Sequence, residues 1–286
     1  MIKIISDSTC DLSKDLIKKY NIGILPLHIH LDEEEYQDGV TITPDEIYTW
    51  ADANNTTPKT SAASMIEVID MFEPYIKNGD EIISFSISSS MSANNNVMRL
   101  AAEDLEAEDK IHIIDSVNLS TGIGLLVIEA AIMAQEGKSA DEIVARIEEL
   151  KPLVSASFVV DTLTYLHRGG RCSGVAALAG GVLKLHPKIV VENGKMDANK
   201  KYRGKMSMVI KSYVQDMEED LKNAKKDRVF ITHSGCEQSI LDDVHAYLAE
   251  MNIFDEILVT RAGGVISSHC GPGTLGVLFI KENKSE

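Results

Sequence analysis

The chain has 286 residues, 44% of them hydrophobic and 25% charged, a composition that excludes a disordered or fibrous chain and a length at which one core gives way to two domains. Its formal net charge of -16 argues against non-specific nucleic-acid binding, because phosphates are repelled at long range.

Met1 to Asp7 reads as a first strand, not as a charged leader followed by an apolar stretch and a cleavage site. No apolar run reaches the roughly 18 residues of a membrane span, so a cytoplasmic protein is expected. Apolar runs that suit buried strands lie at Ile2 to Ile5, Ile24 to Ile29, Ile82 to Ile87 and Ile111 to Ile114, and most are followed by helical patterns. Strand alternating with helix predicts an α/β fold with a largely parallel sheet covered by helices. Val117 to Gln135 and Ala140 to Leu150 read as helices separated at Gly137, the second started by Ser139 as its N-cap. Lys151-Pro152 ends that helix and places a domain boundary, giving residues 1–152 and 153–286 as two α/β domains.

The second half opens with a strand from Val154 to Val160, then a small-residue segment from Gly169 to Leu185. Asn193-Gly194, flanked by Val190-Val191 and Met196, predicts a hairpin with a type I′ turn. A helix from Lys205 to Ala224, a strand from Arg228 to Thr232, a helix running to Met251 and strands at Glu256 to Thr260 and Val277 to Ile280 complete the chain. Charge is uneven here: residues 168–205 hold nine Lys/Arg against two acids, +7, which leaves -23 for the remainder. The stretch from Ile5 to Asp11 echoes that from Ile231 to Glu237, but both suit a strand end entering a capped helix, and no duplication follows.

Sharper motifs fail on context. Cys10, Cys172, Cys236 and Cys270 form no C-x-x-C pair, so neither a zinc cage nor a redox motif is indicated. Gly271-x-Gly273-x-x-Gly276 matches a dinucleotide pattern, yet a terminal strand follows it and no helix to receive a pyrophosphate. There is no Walker-type cradle and no G-x-S-x-G elbow. His28 and His30 share a strand face without an evident third ligand, so no metal site is assigned.

What remains is hydroxyl-rich. In open α/β sheets ligands bind beyond the carboxyl ends of strands, and three clusters suit such places: Ser6 to Thr9, Thr60-Ser61, and Ser88 to Ser92. An anion at the last would receive N–H and hydroxyl hydrogen bonds together, although the same serines also suit helix caps. His269 stands before a tight Gly271-Pro272-Gly273 turn, where a ring either packs structurally or donates to a ligand oxygen.

Taken in order, Ser6-Asp7-Ser8-Thr9-Cys10-Asp11-Leu12, Thr60-Ser61, Ser88-Ser89-Ser90-Met91-Ser92, Asp115-Ser116, Gly170-Arg171, Lys184-Leu185-His186-Pro187, Asn193-Gly194-Lys195, Tyr202-Arg203 and His269-Cys270-Gly271-Pro272-Gly273 form a set. The set resembles the DegV family, fatty-acid-binding proteins that in many bacteria serve as the binding subunit (FakB) of fatty acid kinase. The resemblance implies two α/β domains with an apolar ligand tunnel between them and no cofactor. It further implies a long-chain fatty acid as ligand, with its carboxylate at Thr60, Ser61 and Ser92 and His269 nearby. Val175 to Leu183 is then a candidate tunnel wall. A separate fatty acid kinase catalytic subunit would be the partner, met through the basic stretch with Arg168, Arg171 and Arg203, which also suits transient contact with an anionic membrane. The chain departs from the family pattern at Ala93-Asn94, where Gly-Thr is usual, and at Ala63, where Pro is usual. A rival class is an acyl hydrolase or transferase using Ser92 and His269 with Asp115 as orienter.

Overall fold

The computed structural model describes residues 1–172 and 185–282, so the candidate wall from Val175 to Leu183 lies outside the described residues. In the N-terminal half the strands are β1 (Ile2–Asp7), β2 (Gly23–Leu25), β3 (His28–Leu31), β4 (Glu34–Gln37), β5 (Lys59–Ser61), β6 (Glu81–Ser86) and β7 (Ile111–Asp115). The helices are α1 (Lys14–Lys19), α2 (Pro44–Asn54), α3 (Met65–Lys77), α4 (Asn94–Asp104), α5 (Thr121–Gln135) and α6 (Ala140–Leu150). A four-stranded sheet runs β2-β1-β6-β7, every pair parallel. The run from Ile24 to Ile29 is not one strand. Pro26 cannot donate to a ladder, so β2 ends at Leu25 in the parallel sheet while β3 starts a separate sheet ordered β4-β3-β5.

The C-terminal half holds β8 (Val154–Val159), α7 (Thr164–Gly169), β9 (Leu185–Glu192), β10 (Lys195–Arg203), α8 (Met206–Gln215), α9 (Glu218–Lys222), β11 (Arg228–His233), α10 (Gln238–Glu250), β12 (Glu256–Arg261), α11 (Gly264–Cys270) and β13 (Leu275–Ile280). Its six-stranded sheet is ordered β10-β9-β8-β13-β11-β12 and is antiparallel except between β11 and β12. The β9–β10 hairpin turns at Asn193 (φ 49°) and Gly194 (φ 75°), the pair of positive values that a type I′ turn requires. The single helix expected from Lys205 to Ala224 is two, because the chain breaks at Asp216, whose carboxylate accepts hydrogen bonds from Tyr202 (2.6 Å) and Lys200 (2.5 Å) on β10.

The two halves share a core. Helix α5 is apolar on all sides and buried from Thr121 to Ile128, as a helix must be when sheets cover both its faces. It packs on β1 and β6 of one sheet and on β8 and β13 of the other. Glu129 fastens it through ion pairs to Arg228 (2.6 Å) and Lys225 (2.8 Å). The start of α5 lies four residues later than the sequence pattern suggests, since Val117 and Ser120 take positive φ values of 48° and 53°.

Candidate functional site

In the parallel sheet the chain leaves β1 for β2 on one side and reaches β6 on the other, so the crevice lies at the carboxyl ends of β1 and β6. Three buried carboxylates organise it. Asp7 ends β1 and accepts from Thr9 N (3.2 Å), Thr9 Oγ1 (2.5 Å), Ile87 N (2.9 Å) and Asn94 Nδ2 (3.0 Å). Asp11 accepts from Ser120 Oγ (2.5 Å) and Gly263 N (2.8 Å), and Asp38 from Ser8 Oγ (2.8 Å) and Gly264 N (2.6 Å). The last two carboxylates therefore hold the first amides of α11, the helix that carries His269. Burial pushes all three up, Asp7 to about 6, against the hydrogen bonds that favour the charged form.

Beyond this frame lies a cavity of about 270 Å³ between the two halves, close to the roughly 300 Å³ at which ligand pockets begin. Its lining combines the polar side chains of Thr60, Ser61, Ser92, Arg171 and His269 with an apolar wall of Leu27, Ile87, Met91, Leu119, Met196 and Ile266. Thr60, on β5, shares a 2.8 Å hydrogen bond with His269 Nε2 on α11, 209 residues away. His269 Nδ1 is buried without a hydrogen-bond partner among the described residues. The ring faces Gly169, where a Cβ would stand 2.4 Å from Nδ1, so only glycine lets α7 approach this closely. Burial, and then the charge of Arg171, push His269 down to about 4, which keeps it neutral near pH 7. In the tautomer protonated at Nε2 the ring donates to Thr60 Oγ1, which leaves the threonine hydroxyl hydrogen free to point at a ligand.

The structure brings Thr60, Ser61, Ser92 and His269 to one cavity, with qualifications. Ser61 contributes wall, but its hydroxyl is engaged by His30 Nε2 at 2.8 Å. Ser92 Oγ accepts from Asn94 N at 3.2 Å and keeps its own hydrogen to give. Arg168 on α7, Arg203 at the end of β10 and Arg171 are all exposed, and Arg171 also lines the cavity that His269 lines. Ser8 and Ser88 are structural, Ser88 Oγ donating to Gly194 O of the hairpin at 2.7 Å. Among the described residues a triad is not assembled: Asp115 accepts from Ser89 N and Val117 N, and His269 Nδ1 has no hydrogen-bond partner.

His28 stands between Glu35 (2.6 Å) and Glu67 (2.8 Å), and among the described residues no cluster of His, Cys, Asp or Glu is arranged to hold a metal. Cys10 and Cys270 are buried; burial pushes both thiols up, that of Cys10 to about 12, which makes them packing groups rather than nucleophiles. No helix among the described residues is long and apolar enough to cross a membrane. Sequence reasoning quoted Asp11 within a motif without giving it a role, and missed Asp38, Leu27 and Met196 as site residues. Nothing local marks them, since each gains its place only when distant segments meet.

Fold and site together define a class: an α/β protein, with a helix-covered parallel sheet, whose cavity is lined by apolar side chains, hydroxyls and a neutral histidine. The chain belongs to the DegV family, whose sequence model, described as "Uncharacterised protein, DegV family", matches residues 1–282. It is 33% identical over 280 residues to a DegV domain-containing protein of Caldanaerobacter subterraneus subsp. tengcongensis, covering 97% of this chain and 98% of the relative. Among solved structures it is similar to a fatty-acid-binding DegV family protein from Thermus thermophilus (TM-score 0.90, 28% identity, 98% and 99% of the two chains). It is also similar to DegV, a fatty acid binding protein from Bacillus subtilis (TM-score 0.84, 26% identity, 98% and 99%), and to a stearic acid-binding protein from Eubacterium ventriosum (TM-score 0.85, 28% identity, 100% of both).

Proposed function

We propose that this protein is a non-catalytic carrier that binds a long-chain fatty acid between residues 1–152 and 153–286 and presents its carboxylate to a separate fatty acid kinase. The observation that carries the reading is the cavity itself, lined by Thr60, Ser92 and His269 together with an apolar wall. A fatty acid offers two matching handles. Its methylenes gain about 0.8 kcal/mol each on burial, roughly 10 kcal/mol for a long chain before entropy costs. Its carboxylate accepts from the Thr60 and Ser92 hydroxyls, with Arg171 adding positive charge in the same cavity. The fatty acids named for the similar structures from Thermus thermophilus and Eubacterium ventriosum support the ligand class.

In this reading the kinase brings the nucleotide. A carboxylate oxygen attacks the γ-phosphorus, the bond from that phosphorus to the ADP oxygen breaks, and the acyl phosphate remains in the carrier. Arg168 and Arg203, exposed in the only strongly basic stretch of an acidic chain, face that partner or an anionic membrane. Asp115 accepts from Ser89 N and Val117 N, which does not favour the reading of an acyl hydrolase with Asp115 as orienter of His269. Replacing Thr60 and Ser92 together by alanine tests the head-group site. Each hydroxyl bonded to a charged group contributes roughly 1.5–3 kcal/mol, so oleate affinity falls at least tenfold while the protein stays folded; unchanged affinity places the carboxylate elsewhere.

A further inference from the structure

The hydroxyls proposed to hold the carboxylate come from separate segments. Thr60 lies on β5 of the small sheet, and Ser92 lies in the turn between β6 and α4. One fully buried residue, Asn94, joins them through its side chain and its backbone. Asn94 Oδ1 accepts the Ala63 N–H at 3.4 Å, three residues after Thr60, and Asn94 Nδ2 donates to Asp7 Oδ2 at 3.0 Å. The Asn94 backbone N–H donates to Ser92 Oγ at 3.2 Å. Asp7 completes the clamp, because the same Oδ2 accepts from Ile87 N, at the entrance to the serine turn. Asn94, Asp7 and Ala63 are 0%, 0% and 3% exposed, so no water replaces a lost partner without rearrangement.

We propose that Asn94 is a positioning residue for the head-group site: it fixes the Thr60 segment and the Ser92 turn at the spacing one carboxylate requires, and it anchors both to Asp7. The inference rests on the fatty-acid reading above and adds to it. Chemistry singles out an amide here. It gives one hydrogen bond to a carboxylate acceptor and takes one from a backbone donor at the same time. Alanine does neither, and an ionised aspartate would set a second negative charge against Asp7. Ser92 is also constrained through this residue. With Asn94 N held on its lone pair, its hydroxyl hydrogen is directed away from the helix and toward the cavity.

The test compares oleate with oleyl alcohol, each displacing a dansyl-labelled fatty acid from delipidated protein. A general packing defect weakens both ligands, whereas loss of head-group spacing weakens the acid alone. Asn94→Ala is expected to bind oleate at least tenfold more weakly and the alcohol within twofold of the wild type; oleate within twofold, or an equal loss for both ligands, overturns the proposal. Should Asn94→Ala fail to fold, Asn94→Leu takes its place. It keeps the volume and makes neither hydrogen bond, so it is expected to show the same split, oleate at least tenfold weaker and the alcohol within twofold of the wild type. Oleate within twofold, or an equal loss for both ligands, overturns the proposal. Failure of the underlying reading looks different, since in that case Thr60→Ala with Ser92→Ala leaves oleate binding intact.

Discussion

Acid is expected to destabilise the ligand-free protein through His269. In the folded state burial of the ring and the neighbouring Arg171 charge push the imidazole down to about 4, while in the unfolded chain it titrates near its ordinary value of about 6.5. Above that value both states hold the ring neutral and no penalty exists. As pH falls from about 6.5 toward 4, the unfolded chain takes up a proton that the folded chain refuses, so stability is lost across that window. At about pH 4.5 the loss amounts to about 2.5 kcal/mol, an upper figure because the ring is only partly enclosed. His269→Gln isolates the effect: glutamine keeps a donor for Thr60 and does not titrate. Urea unfolding of delipidated wild type and variant, from about pH 7.5 to about 4.5, reads the difference in stability between them. Asp7, Asp11 and Asp38, raised by burial, titrate in both proteins and cancel. The wild-type advantage should shrink by about 2 kcal/mol or more across that range; a difference that stays constant would refute the reasoning.

Gly169→Ala should both destabilise the protein and weaken oleate binding, since its Cβ would stand 2.4 Å from His269 Nδ1 and overpacking costs about 1–3 kcal/mol; unchanged unfolding and unchanged affinity would show that the ring has room to move. Replacing Arg168 and Arg203 by glutamate changes the charge of residues 168–205 from +7 to about +3 and touches no cavity wall. Acyl-phosphate formation with the cognate kinase should slow, most at low salt, while bound lipid remains. Loss of lipid in that variant would mean that the arginines serve the fold instead.

How much was legible in the sequence depended on whether a signal was local. Strands β1, β6 and β7 announce themselves as isoleucine-rich runs, Ser139 caps α6 in a full capping box, and Asn193-Gly194 turns the hairpin as its residue types dictate. The edge strand β4, Glu-Glu-Tyr-Gln, carries no apolar alternation and is defined only by pairing with β3. Pro26 was the available warning that Ile24 to Ile29 divides, and an apolar run masked it. In the site, Thr60, Ser92 and His269 were found as motif residues, but their mutual arrangement is tertiary: the Thr60–His269 bond joins β5 to α11. Asp38 reads as a turn residue before Gly39, and its work on the amides of α11 appears only in three dimensions. Arg171 was read by charge as a surface residue and is exposed; that it also lines the cavity appears only once α7 is in place.

The central claim is that the cavity holds a long-chain fatty acid, and native mass spectrometry of the protein purified from a bacterial host, followed by analysis of its organic extract, tests it most directly. The account predicts a mass increment matching a single long-chain fatty acid on each chain, lost on delipidation and restored by added oleate. Protein that carries no lipid as purified and takes up none when oleate is supplied, or that carries a polar ligand in the same cavity, would contradict it.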